Sequence, residues 1–312
     1  MRVIGFGIIL LASSLASALA QVPIEVEVTL NQDQYLPGEA LQVTARVINR
    51  SGRTLPLGRD NQWLTFSIDA SDGSVMKRGD VPVEGEFDLE PSKAAVVRVN
   101  LEPYFVVTRP VRYSITATFR YQSWKVVSPP GIFEVIQGST LWEQEFGVPS
   151  APDATNALPE VRRYAILQIN SKGQMRLYLR VSDDKNRPLR VLPIGRQVSF
   201  GRPEAQLDRH SRLHMMYQSG PSIFNYGVFD CQGDLLVRQT YENTYSRPHL
   251  RPDLDGNVVV SGGTRTLTEH DLPPRADDDE FVPTASGTNP PAAVSSTNKP
   301  NAGTNGVRKA KP

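Results

Sequence analysis

Two histidines four residues apart, His210 and His214 in "DRHSRLHMMYQSG" (208–220), are the arrangement in this chain that looks most like a metal or catalytic site. A helix would stack such a pair on one face and let both rings reach one ion. The local period is not helical: Leu213, Met215 and Tyr217 alternate with His214, Met216 and Gln218, as in a strand. Residues four apart in a strand stand about 13 Å apart, too far to share an ion. We therefore expect His210 in a turn, His214 on the strand that follows, and no metal. "DLDGN" (253–257) has the alternating oxygens of a calcium loop, but the later ligands of such a loop do not follow it. Asp-Gly ahead of a run of Val reads as a turn entering a strand. "DCQGD" (230–234) reads the same way.

Other chemistries have less to stand on. There is no Gly-x-Ser-x-Gly elbow, and the one cysteine, Cys231, has no His partner in sequence; it reads as a small buried hydrophobe. A carboxylate pair for glycan hydrolysis leaves no spacing signature, so Asp183, Asp208, Asp230 and Asp253 stay open as a set that a fold would have to bring together. Aromatic side chains that would stack on a ligand are Trp63, Trp142, Tyr217 and Tyr226. "LPLGRDNQW" (55–63) is the loop that would serve a protease-inhibitor-like module. Asn49-Arg50-Ser51 fits a glycosylation sequon and is read as a turn. No cofactor is expected.

The elements that position these residues are strands. Residues 1–20 run from Arg2 through a short apolar stretch to Ala18-Leu19-Ala20, which reads as a cleavable signal peptide. The mature chain is expected to be exported, secreted or periplasmic, without a lipid anchor or a membrane span, since no stretch offers the ~20 apolar residues of a transmembrane helix. Without Arg2 the bases equal the 33 acids, which excludes a nucleic-acid footprint.

Residues 21–137 keep period-2 alternation in short runs: "IEVEVTL", "ALQVTARVINRSG", "WLTFSID", "VVRVNL", "VRYSITATF" and "GIFEVIQ". About seven short strands over ~115 residues is the pattern of two packed antiparallel sheets. The segment resembles the immunoglobulin-like and fibronectin-III-like domains of secreted bacterial proteins. "YLPGEALQVTARVINRSG" and "RPVRYSITATF" carry that resemblance, although Val111 stands where those domains usually have Gly. The resemblance implies that Tyr113 sits where a tyrosine-corner hydroxyl bonds back to the backbone. It also implies a domain that binds, spaces or assembles.

Residues 138–160 have no sustained period and read as a linker in which Trp142 and Phe146 could pin one helical turn to a neighbour. From 161 to 273 the strands return in an internal repeat of roughly 45 residues. Tyr178, Asp183, Asp208, Leu213 and Met215 in the first copy match Tyr226, Asp230, Asp253, Val258 and Val260 in the second. These pieces are similar to sialidase-like and NHL-like propeller repeats, which implies a partial propeller-like domain too short to close. Two such units should leave an apolar face or open edge near "LHMMYQ" or "NVVVSGG". We expect the sandwich to cover that face, burying Trp142 or Phe146 between the domains, or another chain to pair with it, giving a homo-oligomer through the repeats. Residues 274–312, rich in Pro, Ser, Thr, Asn and Gly, are expected to be disordered.

The fold class is thus all-β: an immunoglobulin-like sandwich, a β-repeat domain and a tail. The function expected is non-enzymatic binding of a protein or glycan at the cell surface or in the periplasm. A glycan-active hydrolase and an inhibitor-like module are the alternatives.

Overall fold

A computed structural model describes residues 23–60, 62–149, 160–198 and 201–272; the expected signal peptide and tail lie outside these. The described chain is almost entirely strand, with one 3-10 turn at Glu102–Tyr104 among these residues.

The first region packs two sheets face to face. One joins β1 (Ile24–Leu30), β3 (Gln42–Asn49) and β8 (Ala94–Asn100) in the order β1-β3-β8. The other has the order β2 (Gln34–Tyr35), β11 (Gly131–Val135), β9 (Arg112–Tyr121), β5 (Leu64–Ala70) and β6 (Gly73–Ser74), with β10 (Trp124–Val127) also paired to β9. A short ribbon, β4 (Leu55–Leu57) with β7 (Phe87–Leu89), closes one flank. Pairing is antiparallel except between β2 and β11. The alternating apolar residues do what their period requires, because a strand sends every second side chain to the same face. Val26, Val43, Val47, Phe66, Ile115 and Phe119 all point into one core.

Tyr113 is buried in that core and donates its hydroxyl to the Arg109 carbonyl at 2.9 Å, the bond that the resemblance implied. Asn49 is also buried, and its amide donates to the Arg53 and Leu89 carbonyls at 2.7 and 2.8 Å, so it holds a turn.

The second region is a stack of three sheets. The first has the order β12 (Ser139–Gly147), β13 (Val161–Ser171), β14 (Gln174–Asp183), β15 (Pro188–Gln197). The second has the order β16 (Glu204–Leu207), β17 (Leu213–Gln218), β18 (Ile223–Phe229), β19 (Leu235–Glu242), β22 (Thr264–Thr266). The third is the hairpin β20 (His249–Pro252) with β21 (Val258–Ser261).

Residues 139–147, expected to begin a linker with a helical turn, form β12 instead. Its exposed Glu143 and Glu145 hid the strand, because an edge strand needs only one apolar face and a partner to pair with. Phe146 on this strand is 6% exposed and stacks on Tyr164 with ring centroids 4.1 Å apart.

The layers are closed at both ends. Between the first and second sheets lie Phe146, Tyr164, Leu179, Met215, Tyr217 and Phe229; between the second and third lie Met216, Phe224, Tyr226, Val237, Leu250 and Val258. The strand "LHMMYQ" is therefore buried on both faces and not left open. The outer face of the first sheet is covered by Leu36 of the sandwich, which packs with Ala165, Leu167, Ile169, Tyr178 and Val191. Glu39 forms a bridge with Val191, and its carboxylate accepts from the Leu36 N–H and the Gln32 amide at 2.8 and 2.7 Å. At the far end, the register puts His249, Arg251, Val259 and Ser261 on the hairpin face opposite Leu250 and Val258. That mainly polar face ends the stack, as end units of repeat arrays do. Phe146 is accordingly buried between the first two layers, with Trp142 half-buried beside it, and neither lies against the sandwich. The open apolar face expected of two units does not exist, because the hairpin and the sandwich supply the missing covers.

Candidate functional site

Four aspartates that might have converged are instead dispersed along the stack, each in the same five-residue turn. In "DDKNR", "DRHSR", "DCQGD" and "DLDGN", Oδ1 of Asp183, Asp208, Asp230 and Asp253 accepts two backbone N–H groups, two and four residues on, at 2.7–3.0 Å. Here the first turn is counted from Asp183. The aspartate N–H donates to the carbonyl four residues on, and its carbonyl accepts the N–H three residues on. That last residue is left-handed in every case: Asn186 at φ +60°, Ser211 at +60°, Gly233 at +83° and Gly256 at +79°. Asp is suited to this position because its short carboxylate reaches its own backbone, which stabilises the turn.

The true repeat is therefore the turn and its hairpin, with a spacing of about 23 residues, half the period read from the sequence. The legible signal was an Asp followed three residues later by Asn, Ser or Gly, the types most able to take a positive φ.

Asp208 carries an additional network. Its side chain is buried; Oδ2 accepts from Arg212 Nε at 2.7 Å and lies 3.3 Å from His214 Nε2. The other ring nitrogen, His214 Nδ1, lies 2.7 Å from the Tyr226 hydroxyl. Burial works against the Asp208 carboxylate, but hydrogen bonds from His214 and Arg212 outweigh it and hold its pKa well below the ordinary 3.8. Asp230 goes the other way: burial, with the Asp234 carboxylate adding to it, raises its pKa despite two backbone donors. His214 stands on β17 and His210 in the turn before it, as the alternation predicted. Both His214 ring nitrogens have protein partners. Among the described residues no group of three or more His, Cys, Asp or Glu is placed to hold a metal.

The turns also serve as attachment points. Tyr164 donates its hydroxyl to the Asp230 carbonyl at 2.6 Å, and Arg162 Nη1 donates to the Cys231 carbonyl at 2.9 Å. Cys231 is a buried free thiol within the core between the first two sheets.

Concavity lies elsewhere. Where the first and second sheets diverge, a cleft of about 530 Å³ opens between β15 and β18–β19. Leu192, Ile194, Phe229 and Leu235 form apolar walls, and Tyr217, Asn225, Arg238, Thr240, Thr268 and His270 supply polar groups. None of its described lining residues is an Asp or Glu. Tyr217 forms the floor, donating to the Ile194 carbonyl at 3.3 Å and accepting from the Asn225 amide at 3.4 Å. Gly195 is required there, since a Cβ on it would lie 2.2 Å from the Tyr217 oxygen.

Of the aromatic candidates, Tyr217 lines this cleft and Tyr226 borders it while its ring packs between the second and third sheets, Trp142 packs half-buried on the core between the first two sheets, and Trp63 is 4% exposed inside the sandwich. Trp63 meets Phe87 and Phe119 edge to face at 5.5 and 6.2 Å, so it cannot meet a ligand without opening that core. In the 55–63 stretch Leu55 and Leu57 are likewise core residues of β4. Arg190, Asn225 and Arg238 were not singled out from the sequence. They come from three different strands, so no local spacing marks them.

No protein-family model matches the chain, and no curated protein matches it. Among solved structures it is similar to the sporulation control protein Spo0M of Bacillus subtilis, at 10% identity and a TM-score of 0.28, over 51% of this chain and 79% of that one. A likeness of that size carries no argument about function. Among the described residues, no helix is long and apolar enough to cross a membrane.

Proposed function

We propose that this is an exported, non-enzymatic binding protein in which an immunoglobulin-like sandwich holds one end of a short propeller-like stack. Its partner, a protein or glycan of the cell surface or periplasm, docks in the cleft between the first two layers. The observation that carries this reading is the division of labour between cleft and carboxylates. The cleft combines apolar walls with a few convergent polar groups, the usual make-up of a binding site. The aspartates that hydrolysis would need each hold two backbone N–H groups of their own turn. Glycoside hydrolysis requires two carboxyl groups roughly 5–9.5 Å apart across the bond that breaks, and the lining of the cleft supports no such pair.

The test is binding by the full chain to arrays of envelope glycans and of peptides, repeated with Arg238→Glu and Leu235→Lys. Loss of binding in both variants at unchanged thermal midpoint supports the cleft. Undiminished binding would remove it as the site, and release of cleaved glycan would favour the hydrolase.

A further inference from the structure

We propose that the cleft is occupied by the chain's own acidic–aromatic segment, Asp277-Asp278-Asp279-Glu280-Phe281-Val282, so that an outside partner must displace it. This rests on the reading of the cleft as the binding site and names both its preferred occupant and its regulation. Three independent observations converge on it.

The first is the direction of the chain where the described residues end. β22 pairs antiparallel with β19 from Glu242 to Thr240, and after a bulge Leu272 rejoins it, donating its N–H to the Arg238 carbonyl at 2.9 Å. Thr268 and His270 within that bulge already line the cleft. Moving forward along the chain, the partner on β19 moves from 242 back to 238, so the described chain ends running in the direction of Leu235 and Gly233, at the Arg190 end of the cleft.

The second is length and chemistry. Pro273 and Pro274 have no N–H with which to extend the ladder. Eight residues lie between Leu272 and Phe281, a reach of up to about 30 Å. Between them lies the acidic run, and Phe281-Val282 follows it directly. In this proposal that segment departs from the disorder expected of residues 274–312; the rest of the tail is rich in Pro, Ser, Thr, Asn and Gly.

The third is charge. The basic lining side chains are Arg190, Arg238 and His270. Arg190 is paired with Asp234 at 2.5 Å and His270 lies 3.5 Å from Glu269. Arg238 has no carboxylate partner among the described residues and is exposed beside the apolar wall. An acidic run ahead of a Phe fits a lone guanidinium at the rim and an apolar slot within, a charge match that favours the correct register.

Hydrogen exchange on the full chain tests this. Amides of residues 279–283 should exchange at least ten-fold more slowly than an unstructured peptide, and Phe281→Ala should abolish that protection. Arg238→Glu should also abolish it, and replacing residues 277–280 by Lys in the same chain should restore it. A fluorescein-labelled synthetic peptide of residues 275–284 should bind the Phe281→Ala chain at least ten-fold more tightly than the native one. Exchange of 279–283 at the intrinsic rate in the native chain overturns the proposal. If an outside ligand then still binds in an Arg238-dependent way, the cleft stands as a binding site without its internal occupant.

Discussion

The sandwich and the stack bury similar apolar strands, yet they hold polar groups differently. In the sandwich, the buried polar side chains named above bond to backbone: Tyr113 to the Arg109 carbonyl, Asn49 to the Arg53 and Leu89 carbonyls. In the stack, each layer repeats one turn, and at the Asp208 copy the turn joins a buried network of Arg212, His214 and Tyr226 on the second sheet. A stack buries its middle strands on both faces, so a polar residue there needs a partner from a neighbouring strand. A buried donor or acceptor left alone costs about 1–3 kcal/mol.

Substitutions can break that contrast, and the largest effect is expected at Asp208. Asp208→Ala strips Arg212, His214 and two backbone donors of their acceptor and should destabilise the stack by about 3–5 kcal/mol, the cost of breaking a buried pair. Asp183→Ala removes the same turn contacts at a position whose ion-pair partner Arg187 is exposed, and should cost much less than Asp208→Ala. Urea unfolding, followed separately by sandwich and stack probes, measures both. Equal losses would mean that the buried network adds nothing to the turn.

In the sandwich, Tyr113→Phe deletes one hydroxyl from one carbonyl and should cost about 1 kcal/mol in the same assay, with the stack unaffected.

Acid should act on the stack through Asp208. Its folded pKa lies below the unfolded 3.8, so the stability it contributes is present above that pH and is lost as the pH falls. Between pH 6 and pH 3 the native chain should lose about 1 kcal/mol that Asp208→Asn does not lose. Asp230, with a raised pKa, has the opposite sign, and its contribution declines as pH rises through its folded value. A native chain whose stack stability is flat across this range would show that the Asp208 carboxylate is not stabilised by its partners.

The smallest effect is expected at Asn186, a left-handed residue that makes no side-chain contact needed by the turn. Asn186→Gly should be neutral to slightly stabilising, within about 0.5 kcal/mol, as a calorimetric midpoint would show.

The two regions also differed in how much of them was legible in the sequence. Sandwich strands such as β1, β5 and β9 have one buried face, so Val26, Phe66 and Ile115 stand out by alternation alone. β17 loses that signal because His214 and Met216 are as buried as Leu213 and Met215. β12 was hidden for the opposite reason, its exposed charges resembling a tether. The turn aspartates were visible in the sequence, but as two positions of a 45-residue unit; only the positive φ shared by Asn186, Ser211, Gly233 and Gly256 makes all four copies of one turn. Of the cleft only Tyr217 was read from the sequence: Arg238 and Asn225 of the second sheet meet Leu192 of the first only where the two sheets diverge.

The central claim is that the four aspartates build turns while the cleft does the binding. The direct test is the set of single variants Asp183→Asn, Asp208→Asn, Asp230→Asn and Asp253→Asn, each assayed for unfolding midpoint and for binding on the glycan and peptide arrays. An Asn oxygen still accepts both backbone donors, so each chain should fold, with the midpoint falling most for Asp208→Asn and binding unchanged in all four. A variant that keeps its midpoint but loses binding, or loses a measurable turnover, would contradict the account.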